Sequence, residues 1–288
     1  MNAHLNSNRI GDAKTSAKKR LLHAGMSHAE SEVQVKMLFE YLFGFSSAEL
    51  VMNHNMHLSE SDLLKLHKAL NRMEQHEPIQ YVLGEVYFFG LNFKVTSHVL
   101  IPRPETEELV HWILQCESAS ELSLLDIGTG SGIIPISIKK NRSSWTCTGL
   151  DVSIEALQIA EENASRNQVQ TTWLEGDALE DAPLPRADVW VSNPPYIPNS
   201  EGASMEKRVT QYEPELALFV ADSDPLIFYR IILNKAMGMQ PTPIVYFEMH
   251  ENYADQVQSL AKELLFETEL KLDSQYKKRM LRCWKVLY

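Results

Sequence analysis

Cysteine is scarce in this sequence. Cys116, Cys147 and Cys283 are far apart and form no C-x-x-C pair, so neither a disulfide framework nor a zinc site is suggested, and all three read as ordinary small apolar residues. Long apolar runs are missing too: none approaches the ~20 consecutive residues of a membrane span. Met1 to Arg20 lacks the charged start, apolar middle and small-residue cleavage site of a secretory signal, which makes the cytoplasm the expected location. No internal repeat or low-complexity tract occurs, and only the first dozen or so polar residues are expected to be disordered. Positive charge is in deficit, with 27 Lys and Arg against 38 Asp and Glu for a formal net charge of -11. Residues 1–77 are balanced, so the whole excess lies beyond them, where it repels a polyanion on average. The exception is a short basic patch of Lys277, Lys278, Arg279 and Arg282, read as solvated charge protecting an edge strand.

What is present fits two domains in 288 residues. The first reads as a small helical bundle. "SHAE" from Ser27 and Ser46 with Glu49 three later are helix starts in which a hydroxyl caps and a carboxylate reaches back. Val33, Met37, Tyr41 and Leu42 recur at helical spacing up to Gly44, as do Leu63, Leu66, Leu70 and Met73 after Ser59, and both stripes are expected in the core. Pro78 is expected to mark an end. Residues 79–95 change period and are rich in aromatic and β-branched residues, which predicts a hairpin linker. Beyond about residue 105, strand candidates at 122–127, 146–152, 171–175, 188–192 and 243–249 alternate with helical stretches, clearest at Ile154 to Arg166 and Pro225 to Met237. Such alternation predicts a doubly wound, mostly parallel sheet. Two last strands, near Glu267 to Leu272 and Met280 to Leu287, lack an intervening helix and should pair antiparallel.

The first of these strands runs into "LLDIGTGSGIIPISI". Gly128, Gly130 and Gly132 permit a tight turn and close backbone approach where strand gives way to helix. A dinucleotide fingerprint is G-x-G-x-x-G/A, whereas Ile133 holds the sixth position here, which disfavours a nicotinamide oxidoreductase. Asp151, closing the next strand in "TGLDVS", is suited to accept hydrogen bonds from both hydroxyls of a ribose; Asp126 is suited to hold the loop or meet a cationic ligand. Together "DIGTGSG" and "LDVS" resemble the cofactor motifs of class I S-adenosylmethionine-dependent methyltransferases. The resemblance implies a seven-stranded sheet of that class and a cofactor site of Gly128, Thr129, Gly130, Ser131, Gly132, Asp151, Asp177, Ala178 and Asn193, with S-adenosylhomocysteine as product and no metal. Asp177 and Ala178 would lie near adenine, although Ala178 stands where family members often carry an aromatic residue.

The strand "DVWVS" then ends in Asn193, Pro194, Pro195 and Tyr196. Proline cannot extend a sheet ladder and restricts the residue before it, so carbonyls here are free to accept. The Asn193 side-chain oxygen and the Pro194 carbonyl suit the two hydrogens of a planar NH2 group, with Tyr196 packing on its plane. The tetrad therefore selects a planar nitrogen nucleophile, and none of the ten histidines falls within it. Adenine or guanine amines and glutamine amides share this chemistry. The stretches 80–110, "VSNPPYIP", "YEPELAL" and "DPLIFYRII" closely resemble the peptide chain release factor glutamine methyltransferases, the HemK/PrmC family. That resemblance implies N5-methylation of the glutamine in the Gly-Gly-Gln motif of class 1 release factors. It also implies a helical release-factor-binding domain over 1–77, a β-hairpin linker over 78–104 and a methyltransferase domain over 105–288. Arg103 and Glu105 would border the crevice, and His250 stands where a glycine is common. No direct nucleic-acid contact and no membrane are expected. The competing readings are a nucleic-acid adenine or guanine amino-methyltransferase, which lacks an obvious basic recognition domain here, and a non-catalytic adaptor with an inert tetrad.

Overall fold

The computed structural model describes residues 7–286, which divide into two compact units. The first comprises the chain up to Gly84 together with Lys207–Tyr212. Its helices are α1 (Ile10–His23), α2 (His28–Phe43), α3 (Ser47–Met52), α4 (Glu60–Met73) and α5 (Ile79–Leu83). Ser27, Ser46 and Ser59 cap α2, α3 and α4, each accepting from a backbone N–H three residues on, and Ser46 with Glu49 completes a reciprocal capping box. These contacts satisfy donors that helix geometry leaves orphaned at each start.

Four expectations are corrected here. The buried face of α2 is Val35, Leu38 and Phe39, while Val33 and Tyr41 are 57% and 46% exposed. Both faces carry apolar residues at helical spacing, so periodicity alone did not distinguish them. Pro78 opens a helix instead of marking an end: α4 stops at Met73, and Pro78 is the N-cap of α5, whose start its fixed φ suits. The first five residues of the expected hairpin therefore form α5. The polar beginning is ordered from Ile10, a fully buried core residue, while residues 1–6 lie outside the described residues.

The second unit comprises Glu85–Glu206 and Glu213–Tyr288. It opens with an antiparallel hairpin, β1 (Glu85–Phe88) and β2 (Leu91–Lys94), followed by α6 (Pro104–Cys116). Then come β3 (Ser123–Ile127), α7 (Ile133–Asn141), β4 (Thr146–Asp151), α8 (Ile154–Asn167), β5 (Thr172–Glu175) and β6 (Val189–Ser192). A short pair, β7 (Ile197–Pro198) and β8 (Phe219–Val220), is parallel; between its strands lie α9 (Lys207–Tyr212), which clusters with the first unit, and α10 (Glu215–Leu218). The chain continues through α11 (Ile227–Met237), β9 (Ile244–Glu248), α12 (Ala254–Glu263), β10 (Glu267–Leu272) and β11 (Lys278–Trp284).

Among the described residues seven strands form one sheet, in the order β10-β11-β9-β6-β3-β4-β5. Only β11 runs against its neighbours. Alternate residues feed opposite faces. Leu125, Trp190, Val245 and Phe247 join α11 and α12 in one core cluster, and Leu124, Val189, Val191 and Tyr246 join α6 and α7 in the other. Burial on both faces explains why the central strands read as nearly continuous apolar runs. Trp145 and Trp190 are fully buried, and each such side chain contributes roughly 2–3 kcal/mol of transfer free energy.

Two further readings change. β11 lies inside the sheet with β10 at the edge, and the basic residues at its start and along it are paired: Lys277, just before the strand, with Glu251, Lys278 with Asp255, Arg279 with Asp273 and Arg282 with Glu117. The patch is thus not on the edge strand, although Lys277 and Lys278 remain solvated, as expected. The strand also ends at Trp284; Leu287, its expected end, lies outside the described residues. No helix among the described residues is long and apolar enough to cross a membrane.

Candidate active site

From β3 the chain runs outward to β4 and β5 and then returns to β6 on the other side, so the carboxyl ends of β3 and β6 flank the reversal of strand order. In open α/β sheets ligands bind at such a reversal. Gly128 and Thr129 close the turn after β3, both backbone N–H groups donating to the Leu150 carbonyl at 2.8 and 3.0 Å. Gly128, Gly130 and Gly132 have φ of +76°, +52° and +77°, a region costly to any residue with a Cβ. Their surroundings separate two roles. A Cβ on Gly128 or Gly130 would meet nothing within 4 Å, while one on Gly132 would come within 2.7 Å of the Trp173 ring. Gly132 thus serves packing, and the first two glycines leave backbone exposed to open space.

Two acids hold this loop. Asp151 Oδ2 accepts the Gly130 N–H at 2.8 Å and its Oδ1 accepts the Ser153 N–H at 2.9 Å. Each oxygen keeps a lone pair for a further donor. Asp126 Oδ2 accepts the Thr129 hydroxyl at 2.6 Å, whereas its Oδ1 is buried with no partner. Burial pushes the Asp126 carboxyl up to about 7, opposed by the Thr129 hydrogen bond and reinforced by the nearby Asp151 charge. Burial raises Asp151 as well, against its backbone hydrogen bonds. Ser131 lies in the same loop, its carbonyl taking a 2.9 Å hydrogen bond from Asn163 Nδ2. Asn163 is fully buried and also exchanges hydrogen bonds with the Lys94 N–H and carbonyl, tying the hairpin to the glycine loop. Sequence reasoning missed it, although its small buried helix neighbours Ala160 and Ala164 hinted at a close approach. Asp177, after β5, accepts the Leu179 N–H at 2.8 Å, and Ala178 is buried in the core.

Asn193, Pro194, Pro195 and Tyr196 follow β6 directly. The preceding Ser192 hydroxyl donates to the Ile127 carbonyl at 2.7 Å, locking this strand end to that of β3. Asn193 Nδ2 approaches Thr106 Oγ1 at 3.4 Å, and Thr106 donates to Glu248 Oε2 at 2.7 Å. The Tyr196 hydroxyl reaches Glu248 Oε1 at 3.4 Å while its ring meets His250 edge-on, centroids 5.9 Å apart. Burial pushes the Glu248 carboxyl up to about 7. It also raises the Tyr196 phenol, keeping it protonated.

Arg103 and Glu105 open α6. Arg103 donates to Glu213 Oε1 at 2.6 Å, and the other Glu213 oxygen accepts the Ile101 N–H at 3.2 Å. Glu213 is buried, so this pair fixes the start of α6 beside Thr106. Thr106, Glu213 and Glu248 were not predicted as site residues. The signal for Glu248 was an acid ending an apolar strand, the same pattern that singled out Asp151. Thr106 offered none beyond its place in "IPRPETE".

A family model described as Methyltransferase small domain matches residues 108–212, and one described as PrmC N-terminal domain matches residues 12–84. The chain is 40% identical over 253 residues to a release factor glutamine methyltransferase of Flavobacterium psychrophilum, covering 85% of this chain and 89% of that protein. A protein of the same description from Bacteroides thetaiotaomicron is 40% identical over 74% of this chain and 77% of its own length. Among solved structures, the hMettl16 catalytic domain in complex with a MAT2A 3'UTR hairpin shares the fold, at a TM-score of 0.54 and 15% identity over 80% of this chain and 83% of that one. With such identity to curated relatives along most of its length, the chain belongs to the release factor glutamine methyltransferase family.

Proposed function

We propose that the protein transfers the methyl group of S-adenosylmethionine to the side-chain amide nitrogen (N5) of the glutamine in the Gly-Gly-Gln motif of class 1 peptide chain release factors. The observation that carries this reading is the Asn193–Tyr196 tetrad at the end of β6, one strand from the glycine turn after β3, in a chain of this family.

The residues of the cofactor site fit this group. Asp126 Oδ1 is a buried acceptor with no partner, a costly arrangement that a cationic ligand relieves. Gly128 and Gly130 leave space for close backbone approach along Thr129 and Ser131. Asp151 retains acceptor capacity for two ribose hydroxyls, and Asp177 with Ala178 is assigned to the adenine end. The bound cofactor supplies an activated methyl on a sulfonium, so the protein's task is chiefly placement.

At the acceptor end, Asn193 Oδ1 and the Pro194 carbonyl each accept one N–H of the glutamine amide, and Pro195 keeps the segment out of the ladder. Those two hydrogen bonds orient the nitrogen and favour charge developing on it, while Tyr196 offers a flat face to the planar group. One N–H proton is lost late, with no strong base required. The helical unit is assigned to gripping the body of the release factor. A nucleic-acid substrate is disfavoured because the whole net charge of -11 lies beyond residue 77, in the segment that carries the site, where it repels a polyanion on average.

The test is mass spectrometry of a class 1 release factor incubated with the protein and S-adenosylmethionine. One added methyl is expected on the Gly-Gly-Gln glutamine. Asn193→Ala should lower the rate by about 10²–10³-fold, the typical effect of removing one oriented transition-state hydrogen bond. An unmethylated factor, with cofactor binding intact, would overturn the assignment.

A further inference from the structure

Asn193 can serve as an acceptor only if its amide is turned the right way. Oxygen and nitrogen ends are nearly the same size, so shape alone does not choose between them. Hydrogen-bond bookkeeping around it does. Glu248 is 1% exposed at the end of β9, and Thr106 is 1% exposed in the first turn of α6. Their 2.7 Å contact is short, and a carboxylate can only accept in it.

We propose, building on the function above, that Glu248 and Thr106 are positioning residues: the carboxylate takes the single Thr106 hydroxyl proton, so that Thr106 Oγ1 can only accept, which turns Asn193 Nδ2 inward and leaves Asn193 Oδ1 facing the substrate nitrogen. The Asn193 amide end lies 3.4 Å from Thr106 Oγ1, within reach of this control. The chain of donors runs one way, from Asn193 to Thr106 to Glu248, and reversing its last member reverses the whole. A protonated Glu248 donates to Thr106, whose hydroxyl then donates to Asn193 and draws Oδ1 inward. The amide would then present two N–H groups to a substrate that also brings N–H groups.

The groups facing Glu248 decide when this reversal occurs. Burial raises its carboxyl to about 7; the hydrogen bonds from Thr106 and Tyr196 and the positive charge of Arg279 on β11 pull it down, and Glu105 on α6 pushes it up. The Tyr229 hydroxyl on α11 is satisfied by the Glu248 backbone carbonyl at 3.2 Å, leaving the carboxylate to the other partners. Glu248 is therefore set to change state near neutral pH.

The experiment measures kcat for release-factor methylation against pH at saturating cofactor in wild type, Thr106→Val, Thr106→Ser and Glu248→Gln, alongside NMR of the Asn193 side-chain Nδ2 protons in the same proteins. Thr106→Val should lower kcat about tenfold or more with cofactor affinity unchanged, and Thr106→Ser, which keeps the hydroxyl, should restore it to within about threefold. Wild-type kcat should fall below pH about 7. That limb, and the matching pH shift of the Asn193 amide resonances, should vanish in Glu248→Gln. Unchanged kcat in Thr106→Val, equal losses in Val and Ser, or amide resonances indifferent to both positions would each overturn the proposal. Absence of methylation by wild type strikes the functional reading instead, and the resonances then still decide this one.

Discussion

Arg20 in the helical unit and Asp126 in the sheet unit are both buried charges, and their surroundings differ. Arg20 makes four hydrogen bonds, two to the Glu74 carboxylate at 2.7 Å each and one each to Asn71 and His67. The arrangement holds the Glu74 carboxyl below its usual range. Asp126 keeps one oxygen without a partner and titrates near 7; Glu248, at the end of another strand of the same sheet, is raised in the same way. A structural charge is surrounded by side-chain partners, whereas a ligand-handling charge is left short at a strand end. Perturbed acids collected at a crevice are the physical mark of a working site.

The sharpest way to break that comparison is Gly130→Ala. Its Cβ would enter open space at φ +52°, so the substitution should cost the free protein only about 1–2 kcal/mol of backbone strain. S-adenosylmethionine affinity should fall about 100-fold, because backbone approach is blocked where the ligand is assigned. Calorimetric titration beside thermal melting separates the two, and a stability loss without an affinity loss would erase the distinction.

Arg20→Ala should do the opposite. It strips a half-buried carboxylate of its partner and should destabilise the protein by about 2 kcal/mol, read by urea unfolding, with cofactor affinity unchanged.

A pH-dependent effect is expected from Asp126→Asn. The folded carboxyl is raised from 3.8 to about 7, so the folded state binds the proton more tightly than the unfolded chain does. The stability associated with that proton is fully present below pH about 4 and is lost as pH rises to about 7. Asp126→Asn removes this contribution. In cofactor-free protein, wild-type melting temperature should therefore decline relative to the variant across that window and run parallel above it.

Local signals were legible where the physics is local. Ser27, Ser46 and Ser59 mark helix starts because a cap reaches only three residues, and the five parallel strands announced themselves by apolar runs that two buried faces require. The wrong face of α2 shows the limit. Val33 and Tyr41 are as apolar as Val35 and Phe39, and only the neighbours of α2 within the helical unit select which stripe is covered. Pro78 is a similar case, since the same fixed φ can end one element or begin another.

By itself the sequence determined the glycine turn, the acid closing the next strand, the Asn-Pro-Pro-Tyr strand end and the family these belong to, because each is a short run whose chemistry depends on adjacent residues. What only the tertiary structure decided is the company those motifs keep. Thr106 stands 87 positions from Asn193 and 142 from Glu248, and the three meet because β3, β6 and β9 lie side by side with α6 packed across them. The partnerless oxygen of Asp126 and the raised carboxyl of Glu248 arise the same way. Both follow from burial, which is set by strand order and not by any local stretch of the chain.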